Sequence, residues 1–150
     1  MEKGIHFKNI RIMKIIIFCL ALFLCSGIAF AQNGFTLEVV EVKKNGGKLH
    51  ISLFNSNQSF NERKIYYSLV KDADNETVCI PIVLPPGEYV FSMYQDSNGN
   101  GKLDSNFFGI PKEPFGFSNY NGKSAPGNFI KHKVIINEKT KKITDHLYKI

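Results

Sequence analysis

The residues best suited to chemistry form a short loop rich in acids and amides, DSNGNGKLD, from position 96 to position 104. Oxygen-bearing side chains recur at its first, third, fifth and ninth positions, with a glycine at the sixth. Calcium takes about six to eight hard oxygen ligands, and side chains two residues apart on a tightly curled chain can point at one centre. The spacing therefore predicts a calcium site formed by Asp96, Asn98, Asn100, Asp104 and the Lys102 carbonyl.

The loop departs from the complete calcium motif at its twelfth position, where Phe107 replaces the usual bidentate glutamate. We therefore expect Glu113 or water to complete the coordination sphere, and a weak affinity on the order of 10⁻⁴ to 10⁻³ M. Leu103 is expected to anchor the loop in the core. The alternative is that Asn98-Gly99 and Asn100-Gly101 are simple turn dipeptides, but turn chemistry does not require acids at both ends.

The chain beyond the acidic loop is unusually aromatic. Exposed rings here would form a stacking platform for a sugar or peptide, and this candidate ligand site comprises Phe108, Glu113, Phe115, Phe117 and Tyr120. The alternative, which we favour, is that the rings form a small core of their own, because long ordered loops are commonly packed by their own side chains.

Residues able to catalyse a reaction are scattered along the chain. His50, His132 and His146 fall in separate predicted strands, and the sequence has no paired-cysteine, H-E-x-x-H or G-x-S-x-G motif. Cys79, within VCIPIVL, is expected to be a small buried apolar residue rather than a nucleophile. We expect no catalytic residues, although a Ser-His-Asp arrangement created by the fold stays open as an alternative.

The first 31 residues have the pattern of an export signal. Four basic residues precede the apolar run Ile15–Cys25, and Ala29-Phe30-Ala31 is a small-x-small cleavage site. The apolar run is too short to span a bilayer comfortably. We therefore predict a signal peptide at 1–31 and one exported domain at 32–150, periplasmic or extracellular, without a stable membrane span.

Removal of this segment changes the charge of the chain. The segment holds four of the 19 basic residues and one of the 13 acidic residues, which leaves 15 against 12. This small surplus, without a basic run interleaved with aromatics, argues against a nucleic-acid partner. Cys79 is then the only cysteine left, so an internal disulfide is excluded.

The elements that must position these residues are predicted to be strands. Helical periodicity is nearly absent, and β-branched or aromatic runs recur between clusters of Gly, Asn, Asp and Pro. The first two strands, 35–43 and 48–55, are expected to form a hairpin about a Gly-rich turn. Residues 56–64 are expected to form a loop or short helical turn, and further strands are expected at 65–70, 77–83, 88–95, 132–137 and 142–150, the last two being joined by a turn.

About seven short antiparallel strands predict an all-β fold, a single immunoglobulin-like or transthyretin-like antiparallel β-sandwich with a long loop after a central strand. Alternation along the strands places six apolar residues in its core: Leu37, Val39, Leu49, Ile51, Leu53 and Phe91. A helix–loop–helix calcium site is not expected, since the residues before Asp96 have a strand pattern.

The segment from Asp96 to Asn119, DSNGNGKLDSNFFGIPKEPFGFSN, resembles the signature of the bacterial secreted family catalogued as domain of unknown function 2141. That signature runs approximately D-x-N-x-N-G-K-L-D-x-N-x-x-G-I-P-x-E-x-x-G-F-S-N. The resemblance extends more loosely through GKLHISLFNS and LPPGEYVFSMYQD, whereas Gln95 stands where family members often have His. It implies a secreted sandwich domain, and it supplies no activity or substrate.

Three functions are compatible with these features. The first is a secreted, non-catalytic sandwich module, stabilised by calcium, with a binding or assembly role at the cell envelope and an envelope protein, peptide or glycan as partner. The second is a dedicated carbohydrate- or peptide-binding protein that uses the aromatic loop 107–120. The third is a hydrolase, which would require a deep cleft lined by His and acidic side chains.

The export prediction can be tested directly on protein isolated from the native envelope. We expect mass spectrometry to find a mature chain that begins at or near Gln32 and carries no lipid. An intact terminus at Met1 or Met13, or an acylated Cys25, would contradict the prediction.

Overall fold

Strands dominate residues 33–150, the part of the chain that this computed structural model describes. The eight strands of this range are β1 (Asn33–Val40), β2 (Lys48–Phe54), β3 (Tyr67–Asp72), β4 (Val78–Leu84), β5 (Gly87–Asp96), β6 (Phe115–Phe117), β7 (Val134–Ile136) and β8 (Lys142–His146). Two single-turn helices, α1 (Asn57–Asn61) and α2 (Phe129–His132), complete the elements. No helix within 33–150 is long and apolar enough to cross a membrane. The predicted signal peptide at 1–31 lies outside the described residues.

The strands form two sheets that enclose one main core. The smaller sheet has the order β4-β1-β8, and the larger has the order β3-β2-β5-β6, with β7 pairing beside the beginning of β5. The predicted all-β sandwich is confirmed. One ladder differs from the antiparallel expectation, because β1 and β8 run parallel from the pair Thr36–Lys142 to the pair Val40–His146.

Alternation along the strands decides which side chains enter the core. The six residues predicted to be buried are all at most 1% exposed, and they come from β1 in one sheet and from β2 and β5 in the other. Successive side chains of a strand point to opposite faces, so the same alternation leaves Cys79 exposed between the inward-facing strand positions of β4. The expectation of a buried Cys79 is therefore wrong.

The predicted hairpin between the first two strands is also wrong. β1 pairs with β4 and β8, whereas β2 pairs with β3 and β5, so residues 41–47 cross from one sheet to the other. Glu41, Asn45 and Gly47 have positive φ angles that redirect the chain, and Val42 is buried in the core on the way. Alternation specifies the buried face of a strand, but it does not specify the neighbouring strand.

The two closing strands do not form the predicted hairpin either. His132 ends helix α2 instead of beginning a strand, and β7 then pairs with β5 while β8 pairs with β1. The long loop after the central strand is present, but it contains the short strand β6, which the sequence analysis did not predict. β6 pairs with the second half of β5, from Ser92 to Tyr94.

A buried amide of β5 bonds the crossing segment 41–47, whose backbone also bonds the backbone of Ala73 and Glu76. Gln95 is 0% exposed; its Oε1 accepts from Lys43 N–H at 2.9 Å, and its Nε2 donates to the carbonyls of Lys43 at 2.7 Å and Gly46 at 3.1 Å. Gly47, with φ +99°, lies so close to β5 that a Cβ would come within 2.0 Å of the Asp96 carbonyl oxygen. The crossing segment and the acidic loop therefore share one support, the end of β5.

We expect Gln95→Leu to lower the free energy of unfolding by about 2–4 kcal/mol, because it removes the partner of three backbone groups while keeping the side-chain volume. Denaturant unfolding measures the change. The matched control is Gln58→Leu on α1, where the exposed amide bonds only Glu62, and we expect a change within about 0.5 kcal/mol. Equal effects of the two variants would contradict the role assigned to Gln95.

Candidate calcium loop and neighbouring polar network

Asp96 closes the acidic loop by accepting backbone hydrogen bonds. Its Oδ1 accepts from the N–H groups of Gly99 at 2.7 Å and Asn100 at 3.2 Å, and its Oδ2 accepts from Gly101 N–H at 2.7 Å. Positive φ angles at both glycines allow this curl. Burial opposes ionisation of Asp96, but these N–H groups and the nearby His50 outweigh it and hold the pKa of the carboxyl below its ordinary value.

Three of the predicted ligands meet on the exposed side of the loop. Asp104 Oδ2 accepts from Asn98 Nδ2 at 2.6 Å and from Asn100 Nδ2 at 3.0 Å. Lys102 joins them through its backbone N–H, which donates to Asn100 Oδ1 at 2.8 Å. Leu103 is 37% exposed, so the expectation that it anchors the loop in the core is wrong.

Glu113 ties the two ends of the loop together. Its Oε1 accepts from Ser97 N–H at 2.7 Å, its Oε2 accepts from Asp104 N–H at 3.2 Å, and the side chain is buried. Three carboxylates, those of Asp96, Asp104 and Glu113, thus belong to one hydrogen-bonded loop. Within residues 33–150, none of the three forms a salt bridge with Lys or Arg.

The donor chemistry of the loop fits a calcium ion, with one rearrangement. The converging groups are amides and a carboxylate on one tight turn, which are ligands that calcium accepts. The nitrogen of each amide faces Asp104, however, while the Oδ1 atoms of Asn98 and Asn100 accept from Asn100 N–H and Lys102 N–H. Rotation of the amides would turn oxygen toward Asp104 with loss of those two bonds. In the described range, no group of three or more His, Cys, Asp or Glu side chains is arranged to hold a metal ion.

A ring pair that the sequence analysis missed supports the loop from the sheet. His50 of β2 stands opposite Tyr94 of β5, and their rings stack with centroids 4.8 Å apart. His50 Nε2 lies 3.5 Å from Asp96 Oδ2, and the Tyr94 hydroxyl donates to the Gly101 carbonyl at 2.9 Å. Burial, with the negative charges of Asp96 and Glu113 nearby, raises the pKa of the Tyr94 hydroxyl. Alternation places both residues at outward-facing strand positions, but the pairing of β2 with β5 that brings them together comes only from the structure.

The candidate stacking platform does not form as one surface. Phe115 and Tyr120 are buried and Phe117 is half-buried; these rings pack on one another and on His132, with Phe117 and His132 stacked at 5.4 Å. Phe108 alone among the five platform residues is an exposed ring, and Glu113 is used inside the loop. The favoured alternative, a small core within the loop, describes this packing.

Ser118, His132 and Asp145 are all buried, but their contacts differ from those of a catalytic triad. Ser118 Oγ donates to the His132 backbone carbonyl at 2.6 Å and accepts from Phe91 N–H at 3.0 Å, so the imidazole does not bond the hydroxyl. His132 Nδ1 faces the Ser118 carbonyl at 3.0 Å, and Nε2 accepts from Gly127 N–H at 2.8 Å. Activation of a serine requires a ring nitrogen at its hydroxyl. These contacts instead hold the loop against β5.

Comparison with known proteins identifies the family. A model of the family described as "Uncharacterized protein conserved in bacteria (DUF2141)" matches residues 37–144. The chain belongs to this family. The matched range runs from β1 into β8 and includes the acidic loop, so the resemblance seen in the signature is confirmed over most of the sandwich. No curated protein and no solved structure matches the chain.

Asp145 gives this family member a testable pH dependence. Among residues 33–150, its Oδ2 has no hydrogen-bond partner. Burial raises the pKa of this carboxyl to about 7, although a hydrogen bond from the Asn119 backbone acts to lower it. Between pH 3.8 and about 7, the Asp145 carboxyl is therefore protonated in the folded protein and ionised in the unfolded chain. The contribution of Asp145 to stability is full below that interval and is lost as pH rises through it.

We expect Asp145→Asn to gain stability relative to the native protein as pH rises from 5 to 8, by on the order of 2–4 kcal/mol. Burial lowers the pKa of His132, which gives stability an opposite slope below pH 6.5, but both proteins contain His132 and its effect cancels in the difference. Urea unfolding at several pH values measures that difference. A stability difference that is independent of pH, or one that falls with pH, would contradict the assignment. The control is Asp74→Asn, which changes an exposed acid.

Proposed function

We propose that this protein is an exported, non-catalytic β-sandwich module, stabilised by calcium in the 96–104 loop, with a binding or assembly role at the cell envelope. The observation that carries the calcium part is the concentration of Asp96, Asp104 and Glu113 in one loop without a Lys or Arg salt bridge among the described residues. Carboxylate and amide oxygens are ligands that calcium accepts, and a bound divalent cation would balance carboxylates that no Lys or Arg of the described range pairs with.

The non-catalytic part rests on how the polar residues are used. Asp96 and Glu113 are occupied by backbone N–H groups, and the buried serine and histidine bond backbone atoms as described above. A general acid or base must reach a substrate proton, directly or through one water. The role that remains for the loop is to maintain a shaped surface.

The second candidate, a glycan- or peptide-binding protein built on the aromatic loop, has less support. Stacking on a sugar requires an exposed ring face. Phe115 and Tyr120 are buried, which leaves Phe107 and Phe108 as the exposed rings of that segment.

We expect calcium at about 10 mM to raise the melting temperature, since a free ligand at about 10 to 100 times its dissociation constant adds about 1.4 to 2.7 kcal/mol when the unfolded chain does not bind. Asp104→Asn should abolish this shift with little effect on the calcium-free melting curve, because the carboxylate is partly exposed and bonded only through side-chain amides at its Oδ2. Scanning calorimetry with calcium, magnesium or EDTA measures both quantities.

Asp96→Asn tests the loop differently, because one amide oxygen cannot replace two carboxylate oxygens that accept three N–H groups. We expect this variant to be less stable even without calcium. Asp74→Asn removes an exposed acid elsewhere and should leave the calcium shift unchanged. An unchanged native melting temperature in calcium, together with no heat in titration calorimetry, would show that the motif is only a turn.

A further inference from the structure

The tip of the long loop presents an unusual apolar surface to solvent. In the described part of the chain, no other large apolar side chains are as exposed as Phe107, at 97%, and Phe108, at 82%. Ile110 beside them is 42% exposed, and residues 105–111, SNFFGIP, carry no charge. A contiguous exposed apolar surface of this kind is typical of a site that interacts with a protein or a membrane.

Four backbone N–H groups of the tip are bonded within the tip itself. Asn106 Oδ1 accepts from the N–H groups of Phe108 at 2.9 Å and Ile110 at 3.0 Å. The Asn106 backbone closes the turn, donating to the Ile110 carbonyl and accepting from Gly109 N–H. A segment that enters a medium without water must satisfy its polar groups internally. The tip meets this requirement at four of its N–H groups.

A groove continues the apolar surface behind the two rings. It has a volume of about 450 Å³, and its walls include Leu103, Ile110, Pro111, Phe117, Pro126 and Ile150. The apolar surface is therefore a tip with a recess behind it, rather than two isolated rings.

Positive charge borders this surface. Lys102, Lys112 and Lys149 each adjoin a groove residue in sequence, and each is exposed. The acids of the same segment are less available to a partner, since Glu113 is buried and the partly exposed Asp104 accepts from the asparagine amides. A second copy that docked through the same surface would bring these lysines against their own equivalents. The charge pattern favours an anionic partner instead.

We propose that this tip docks on an anionic phospholipid surface. Phe107 and Phe108 enter the interfacial region of the bilayer, while Lys102 and Lys112 contact lipid phosphates from the two sides of the uncharged tip. Apolar insertion and electrostatic attraction together provide reversible binding to a membrane surface. The inference depends on the proposed function only for the envelope location, because the hydrogen bonds of the tip do not involve the calcium loop.

Vesicle flotation tests the proposal with protein purified after export. Mass spectrometry first establishes the N-terminus of this protein, because an uncleaved apolar segment would itself bind lipid. The probes are phosphatidylcholine vesicles and vesicles in which about one third of the lipid is phosphatidylglycerol. Each is measured in EDTA and in calcium, and at low and high salt. A failure of calcium stabilisation thus remains distinguishable from a failure of lipid binding.

We expect the native protein to bind the anionic vesicles, in EDTA as well as in calcium, and to release at high salt. Phe107→Ser with Phe108→Ser should weaken binding at least about tenfold while leaving the melting temperature unchanged. Lys102→Gln with Lys112→Gln should weaken binding and reduce its salt dependence. The matched control is Ile135→Ser, which alters a side chain 63% exposed on β7, beside the opposite end of β5.

Three results would overturn the proposal. One is the absence of native protein from the floated vesicles under every condition. Another is equal binding by the double phenylalanine variant and the native protein. The third is that light scattering without lipid shows a dimer of the native protein and a monomer of the double phenylalanine variant, while the native protein does not bind vesicles. This result would assign the tip to contact with a second copy of the chain.

Discussion

Backbone N–H and C=O groups require hydrogen-bond partners, and at the end of β5 two adjacent side chains provide them for two different loops. Gln95 points toward the sandwich interior and bonds the crossing segment at Lys43 and Gly46. Asp96 points to the other face and gathers three N–H groups of the acidic loop. Two adjacent residues of one central strand therefore support two different loops. Gln95 supports the change of sheet after β1, and Asp96 supports the curl after β5.

The long excursion that follows β5 is held in the same way, by polar side chains bonded to backbone. Glu113 joins the ends of the acidic loop, and Ser118 joins β5 to α2 through the carbonyl of His132. Gly116 lies where a Cβ would come within 2.1 Å of the His146 carbonyl oxygen, and Asn119 adopts a positive φ. The excursion is a folded unit with its own ring core.

How much of this could be predicted depends on the range of the interaction concerned. The central strand, the short helical turn and the six core residues follow from local patterns, and all are present. The partner of β1 could not be predicted, because a strand with one apolar face can pair with any neighbour that keeps this face inward. The rings of the long loop presented the same difficulty, since their type gives no information on whether Phe115 packs inward or Phe108 outward.

The sequence by itself determined the class of the fold, six of its core residues, its family and the oxygen-rich spacing of the 96–104 loop. Each of these is encoded in residue type and short spacing, which are the same whatever the rest of the chain does. Only the tertiary structure decided that the first two strands belong to different sheets, that Gln95, His50 and Glu113 brace the loops, and that two phenylalanine rings stay outside. Those outcomes depend on contacts between residues distant in sequence, where burial and hydrogen bonding of the whole chain choose among locally equivalent arrangements.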